Sequence, residues 1–182
     1  MILKGAIKKV ESSKAFKDFK SSNPEYYLAH CFTMLDEAEK KYNWELGYYS
    51  PKKDKLVVFE TEPDVKLREE DDAFTRNKVI PELKFSKVKI SMAKAMETCD
   101  QLVKEKYSAH MITKRIIILQ HLDRDLYNIT LVTRSFSVLN IKIDAASGEI
   151  VSHNLQSLMS LGKWEKGERN REPSDSNDHT VA

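Results

Sequence analysis

The chain has 182 residues, 41% of them hydrophobic and 32% charged, and its 30 Lys and Arg against 28 Asp and Glu leave a formal charge of +2. That length holds one domain, or two small ones sharing a core, and the apolar content suffices for folding rather than disorder. The near-neutral balance excludes the broad positive field of a non-specific nucleic-acid binder, so no nucleic-acid partner is expected.

The first twenty residues carry six lysines against two acids. Their apolar positions, Ile2, Leu3, Ile7, Val10, Phe16 and Phe19, keep poor helical phase, which predicts a solvated basic edge rather than a membrane-docking helix. Lys4, Lys8 and Lys9 interrupt the hydrophobic region that a signal peptide needs, and no apolar run approaches membrane-spanning length. A cytoplasmic location without a transmembrane segment is the expectation.

Asn23-Pro24 reads as a helix start, since Asn can cap free amides and proline at the first helical position loses no needed donor. The stripe Leu28, Cys31, Phe32, Leu35, Ala38 and Tyr42 then predicts a helix from about Pro24 to Lys41. Residues 44–62 read as strand, turn and strand about Ser50-Pro51-Lys52-Lys53-Asp54. A short third strand follows at Val65 to Leu67, and the acidic cluster Glu69, Glu70, Asp71 and Asp72 opens a connection reaching Pro81. Together with Glu60, Glu62 and Asp64 this acidic stretch is read as a solvated loop.

Ser91 caps a second predicted helix, Met92 to Tyr107, with Met92, Ala95, Met96, Cys99, Leu102 and Val103 on one face. Strands are predicted at Ile112 to Leu122, Leu126 to Arg134, Val138 to Asp144 and Glu149 to Asn154. Ile129, Leu131, Thr133, Leu139, Ile141 and Ile143 alternate with polar or smaller neighbours, giving one buried face. Ile116-Ile117-Ile118-Leu119 must send apolar groups to both faces, so a cover besides its own helix is expected, the first half of the chain being the candidate. Cys31 and Cys99, the two cysteines, each fall on a predicted helix stripe as small hydrophobes, which fits a reducing compartment. Beyond Gly162 the only sizeable apolar groups are Trp164 and Val181, so residues 162–182 are expected to be a disordered tail.

The run Asn140-Ile141-Lys142-Ile143-Asp144-Ala145-Ala146-Ser147-Gly148-Glu149-Ile150 resembles the end of a PepSY domain, whose final strands flank an Asp-Ala-x-x-Gly-Glu turn, and Ile90-Ser91-Met92-Ala93-Lys94-Ala95 is similar to that family's helix entry. The two motifs bracket about Val88 to Asn154. The resemblance implies an α+β fold of two helix-on-antiparallel-sheet (α-β-β-β) units, PepSY-like or cystatin-like: residues 1–83 as a helix-plus-hairpin unit and diverged second copy, residues 84–161 as the PepSY-like unit, then the tail. It also implies an interaction module, with restraint of peptidases as the family's association, and it carries no catalytic or ligand-binding residue over to this chain.

Sequence chemistry leads the same way. His30, His110, His121, His153 and His179 form no HExxH or Cys/His spacing, and no nucleophile elbow, phosphate loop or dinucleotide fingerprint occurs, so no catalytic residue, metal or cofactor is expected. His121, Asp123 and Asp125 could gather at a hairpin end, where turn service is the simpler reading. Cys31 beside His30 is read as core packing rather than an activated thiolate. Trp44, Tyr48 and Tyr49, with Tyr26 and Tyr27, concentrate aromatic area that fits either a core or a partner contact, and the first three are the candidate contact residues. The reading is a non-catalytic intracellular binding or regulatory module, offering a sheet edge or aromatic groove to an unidentified protein partner. Its rivals are a small enzyme assembled from sequence-distant residues, and a self-associating structural protein that buries the face around Ile116, Ile118, Val132 and Val138, or Ile117 and Leu119 in the other phase.

Overall fold

In a computed structural model, residues 2–36, 42–72 and 79–158 are described. The chain forms α1 (Leu3–Ser12), α2 (Lys14–Ser22), β1 (Tyr27–Asp36), β2 (Asn43–Ser50), β3 (Lys55–Glu60), β4 (Lys66–Asp72), a 3-10 turn at Phe85–Lys87, α3 (Met92–Lys106), β5 (Ile112–His121), β6 (Asp125–Thr133), β7 (Ser137–Asp144) and β8 (Ile150–Ser157). All eight strands belong to one antiparallel sheet in the order β4-β3-β2-β1-β5-β6-β7-β8. The expected pair of helix-on-sheet units is thereby corrected. A single continuous sheet dominates, and β1 hydrogen-bonds to β5 where a boundary between two separate layers was anticipated. Residue 83 falls between β4 and α3. The predicted tail, residues 162–182, lies outside the described residues.

The N-terminal basic edge proves to be two helices. Leu3, Ala6, Ile7 and Val10 are buried at the steps of one helical stripe, and the phase resets at Ser13, whose side chain accepts from the Phe16 amide at 3.1 Å and starts α2. Ala15, Phe16 and Phe19 then pack on the core from a new register. Treating the two stripes as one hid both.

The predicted helix from Pro24 is also corrected. Asn23 closes α2: its amide and its side-chain Nδ2 both donate to the Phe19 carbonyl at 3.0 Å, and Pro24 prevents the helix from continuing. The chain then extends as β1. Ala29, Cys31, Thr33 and Leu35 are buried at alternate positions, while Phe32 and Met34 between them occupy the opposite face. Apolar side chains at both parities imitated a helical stripe. Residues 37–41, the end of that predicted helix, lie outside the described residues. Farther on, β4 continues through Asp72, so the backbone of the acidic cluster is strand rather than loop.

Elsewhere local signals place the elements well. The β2–β3 hairpin turns at residues 51–54, where Lys53 N donates to Ser50 Oγ at 3.2 Å. Ser91 caps α3 by accepting from the Lys94 amide at 3.2 Å. Between β7 and β8, Asp144 Oδ1 accepts from the amides of Ala146 and Ser147 at 2.8 Å each, and Gly148 takes φ +83, a value that a β-carbon would disfavour. The Ser147 amide leads the interactions that hold the Asp144 carboxyl below its ordinary range.

The helices pack on one side of the sheet, α1 against β2, α2 against β4 and α3 against β6. That face buries Leu46, Val57, Phe59, Ile117, Leu119, Ile129, Leu131, Leu139 and Ile141 in one cluster with residues of α1 and α3. No helix among the described residues is long and apolar enough to cross a membrane. The one-sided core makes a sharp prediction: Leu131→Ala, fully buried, should cost about 2–5 kcal/mol, whereas Ile118→Ala, half-buried on the other face, should cost about 1 kcal/mol. Denaturant midpoints at unchanged slope measure both; equal losses would mean that the second face is covered too.

Candidate docking surface

The second face is built by the residues that alternate with the core positions. Strand register places Phe32 opposite Ile118 and Met34 opposite Ile116 across the β1–β5 pair, giving a block of four apolar side chains at the centre of the sheet. Val132 and Val138, mutually opposite, extend the apolar area through β6 and β7. Met34 is 45% exposed and the other five are half-buried. The chain near residue 80 meets the end of the face, where Tyr27 Oη donates to the Ile80 carbonyl at 2.6 Å.

The rim is polar, and differently so on its two sides. Toward β4, Arg68 bridges Glu45 at 3.2 Å and Glu60 at 3.6 Å. Toward β8, Asn140 Nδ2 donates to Asn128 Oδ1 at 2.7 Å and Thr130 Oγ1 at 3.1 Å, while Lys142, Ser152 and Asn154 continue the polar surface. An apolar centre inside a polar rim is the anatomy of a protein-binding patch.

His30 sits beside the block and depends on Gly47. The two residues are cross-strand neighbours, and a Cβ built on Gly47 would lie 2.1 Å from the His30 ring. Glycine is therefore required by close approach, and the imidazole lies over the β2 backbone in the room it leaves. Burial first, and the Arg68 charge second, hold the His30 pKa below its ordinary 6.5, so this ring is neutral and gives the face no charge.

The three aromatic residues expected to touch a partner are all in the protein's own packing: Trp44 is 1% exposed, Tyr48 3% and Tyr49 2%. Tyr48 lies on the helix side with Phe16 and Phe59 around its ring. Its hydroxyl has no hydrogen-bond partner among the described residues, and burial raises its pKa. Tyr49 packs edge-on against Tyr27 and donates to Asp54 Oδ1 at 2.7 Å. Side chains so covered offer no area to another molecule, and the accessible apolar surface is the one around Phe32 and Ile116. Sequence reading missed Phe32 and Met34 because it placed them in a helix, apolar groups at both parities of β1 having left no period-two signal.

Chemical groupings elsewhere serve structure. His121 Nδ1 meets Asp125 Oδ1 at 2.7 Å, but Asp123 does not join them and accepts from Arg124 instead. Cys31 and His30 point to opposite faces of β1, and burial raises the thiol pKa of Cys31 and pushes that of Cys99 up to about 12. Neither is an activated nucleophile. Among the described residues no cluster of three or more His, Cys, Asp or Glu is placed to hold a metal ion.

No family model matches the chain, and no curated protein matches it. Among solved structures, a Clostridium difficile protein described as a "putative lipoprotein" is similar, with a TM-score of 0.51 and 17% identity over 81% of this chain and 94% of that one. At that identity the likeness extends to the fold alone.

Two outcomes test the His30 slot. Gly47→Ala should cost about 2 kcal/mol by overpacking, and the Gly47→Ala, His30→Ala pair should lose less than the sum of its single changes, because removing the ring frees the space. Additive losses in denaturant unfolding would show that ring and glycine are independent. Since the folded His30 binds its proton less readily than the unfolded chain, stability should be full above about pH 6.5 and fall as the pH drops through 6.5 toward the lower folded-state pKa. His30→Gln should remove that part of the pH dependence.

Proposed function

We propose that this protein is a non-catalytic binding module whose docking surface is the uncovered sheet face, and that its occupant is a partner protein presenting an apolar surface. The observation that carries this reading is the block of Phe32, Met34, Ile116 and Ile118 at the centre of the face opposite the helices, where Met34 is 45% exposed and the other three are half-buried. A free antiparallel sheet face ordinarily alternates polar residues outward; here the two central strands put large apolar groups there. Completing the burial of four such side chains, each worth about 1.5–3 kcal/mol for full burial, supplies hot-spot energy from a small area.

The rim adds orientation. Ion-paired Glu45, Glu60 and Arg68 bound one side, and the uncharged amide and hydroxyl groups of Asn128, Thr130 and Asn140 bound the other. A peptidase as the partner is supported by the PepSY-like turn at Asp144 to Glu149 and by nothing in the patch itself. An intracellular setting fits Cys31 and Cys99, both free and buried.

The test compares capture from native extract by the wild-type chain, Ile118→Asp and Met34→Asp, with thermal unfolding of all three as the control on folding. A protein held saturably by the wild type and lost by both folded variants is the expected result. A partner retained undiminished by both variants would overturn the reading, as would a wild-type homodimer that Ile118→Asp dissolves, since the face would then be occupied by a second copy.

A further inference from the structure

The sheet has two edges, and the sequence treats them differently. The edge strand β4 reads Lys-Leu-Arg-Glu-Glu-Asp-Asp, a run of charges that keeps an edge solvated and resists an incoming strand. The opposite edge, β8, reads Ile-Val-Ser-His-Asn-Leu-Gln-Ser. It contains no lysine, arginine, acid, proline or glycine. β8 pairs with β7 along its whole length, and among the described residues no strand lies on its outer side. Ile150 and Val151 are 37% and 44% exposed. A register shift beside Ile143 interrupts the ladder only at the start of β8, leaving Ser152 to Ser157 regular. This edge lacks the protections that its counterpart carries.

We infer that β8 pairs antiparallel with β8 of a second copy of this chain, joining two sheets into one about a twofold axis perpendicular to them. The symmetry limits the register. Opposed residues must share a face, because the helices of both copies lie on the same side, so the axis passes through a residue and not between two. His153 and Leu155 are on the helix side, opposite Ile141 and Leu139, while Ser152, Asn154 and Gln156 are on the open side. Centring on His153 or on Asn154 engages seven residues of each strand, and the His153 centre sets Ser152 against Asn154 of the second copy, Val151 against Leu155 and Ile150 against Gln156. The first two of these pairs match polar with polar and apolar with apolar. Centring on Asn154 would instead oppose His153 and Leu155. No like charges meet in the pairing at any register, since β8 has no acid or lysine, and this self-compatibility is what identifies the occupant as a second copy.

The inference is independent of the open-face reading and has its own test, sedimentation of the full chain over a range of concentrations. The wild type should show a concentration-dependent dimer. Ser152→Lys with Asn154→Lys, both exposed positions, puts like charges opposite each other twice across the axis and should weaken the dimer roughly tenfold or more. Ser152→Lys with Asn154→Asp sets unlike charges at the same two places and should restore it. Ile118→Asp should leave it intact, which separates this edge from the open face. A wild type that stays monomeric throughout would overturn the inference, and so would a dimer that responds alike to the Lys/Lys and Lys/Asp pairs.

Discussion

The pairing of β1 with β5 is the constraint on which the rest of the molecule depends. Seven residue pairs, from His30 opposite Gln120 to Asp36 opposite Lys114, lock the first and second halves of the chain edge to edge. Each half can then add its remaining strands only outward, β2 to β4 one way and β6 to β8 the other. With α1, α2 and α3 all against one side, the sheet buries one face and leaves the other without a layer among the described residues. A sheet folded back as two stacked layers would have hidden Ile116 and Ile118; an edge-to-edge sheet presents them.

The central position of these two strands also explains their composition. On the helix side, Cys31 faces Leu119 and Thr33 faces Ile117, all with no measurable exposure. The buried Thr33 hydroxyl is satisfied by the Asn43 carbonyl at 2.8 Å, as Thr61 is by the carbonyl of Trp44 at 2.8 Å, so both of these buried threonine hydroxyls are bonded to backbone. On the other side the same strands carry Phe32, Met34, Ile116 and Ile118. Packing on the helix layer accounts for the first set and gives no reason for the second, and that difference is the ground of the proposed docking surface.

How far the sequence could be read follows from the same two-sidedness. In β6 and β7 one face is core and the other mostly polar, and the alternation of Ile129, Leu131, Leu139 and Ile141 was plain. Local chemistry was equally readable where one residue decides a turn or cap, as at Ser91, Ser50 to Asp54, and Asp144 to Gly148. β1 was not readable, because apolar groups at both parities removed the period-two signal and Asn23-Pro24, a helix end, matched the pattern of a helix start. The misplacement of β1 propagated: without it, the β1–β5 pair, the single sheet and the block of Phe32 and Met34 could not be anticipated, although Ile116 to Leu119 had already signalled two apolar faces. The expected cover for that strand was the first half of the chain, which joins it at the side instead of lying over it. The burial of the aromatic candidates was hidden for a related reason: composition shows that Trp44, Tyr48 and Tyr49 are clustered, but only tertiary packing shows that the cluster is enclosed.

The open face and the β8 edge need not compete. An axis perpendicular to the sheet keeps the helices of two paired copies on one side and both open faces on the other, separated by the strands β6 to β8 of each copy. The apolar block lies on β1 and β5, three strands in from the β8 edge, so edge pairing covers none of it. Two such patches on one rigid sheet would engage a repetitive or dimeric partner with the effective concentration of an intramolecular contact, strengthening binding without any new side-chain contact. The charged β4 edges would then form the outer limits of the joined sheet, where resistance to further strand addition closes the assembly at two copies instead of letting it grow into a fibre.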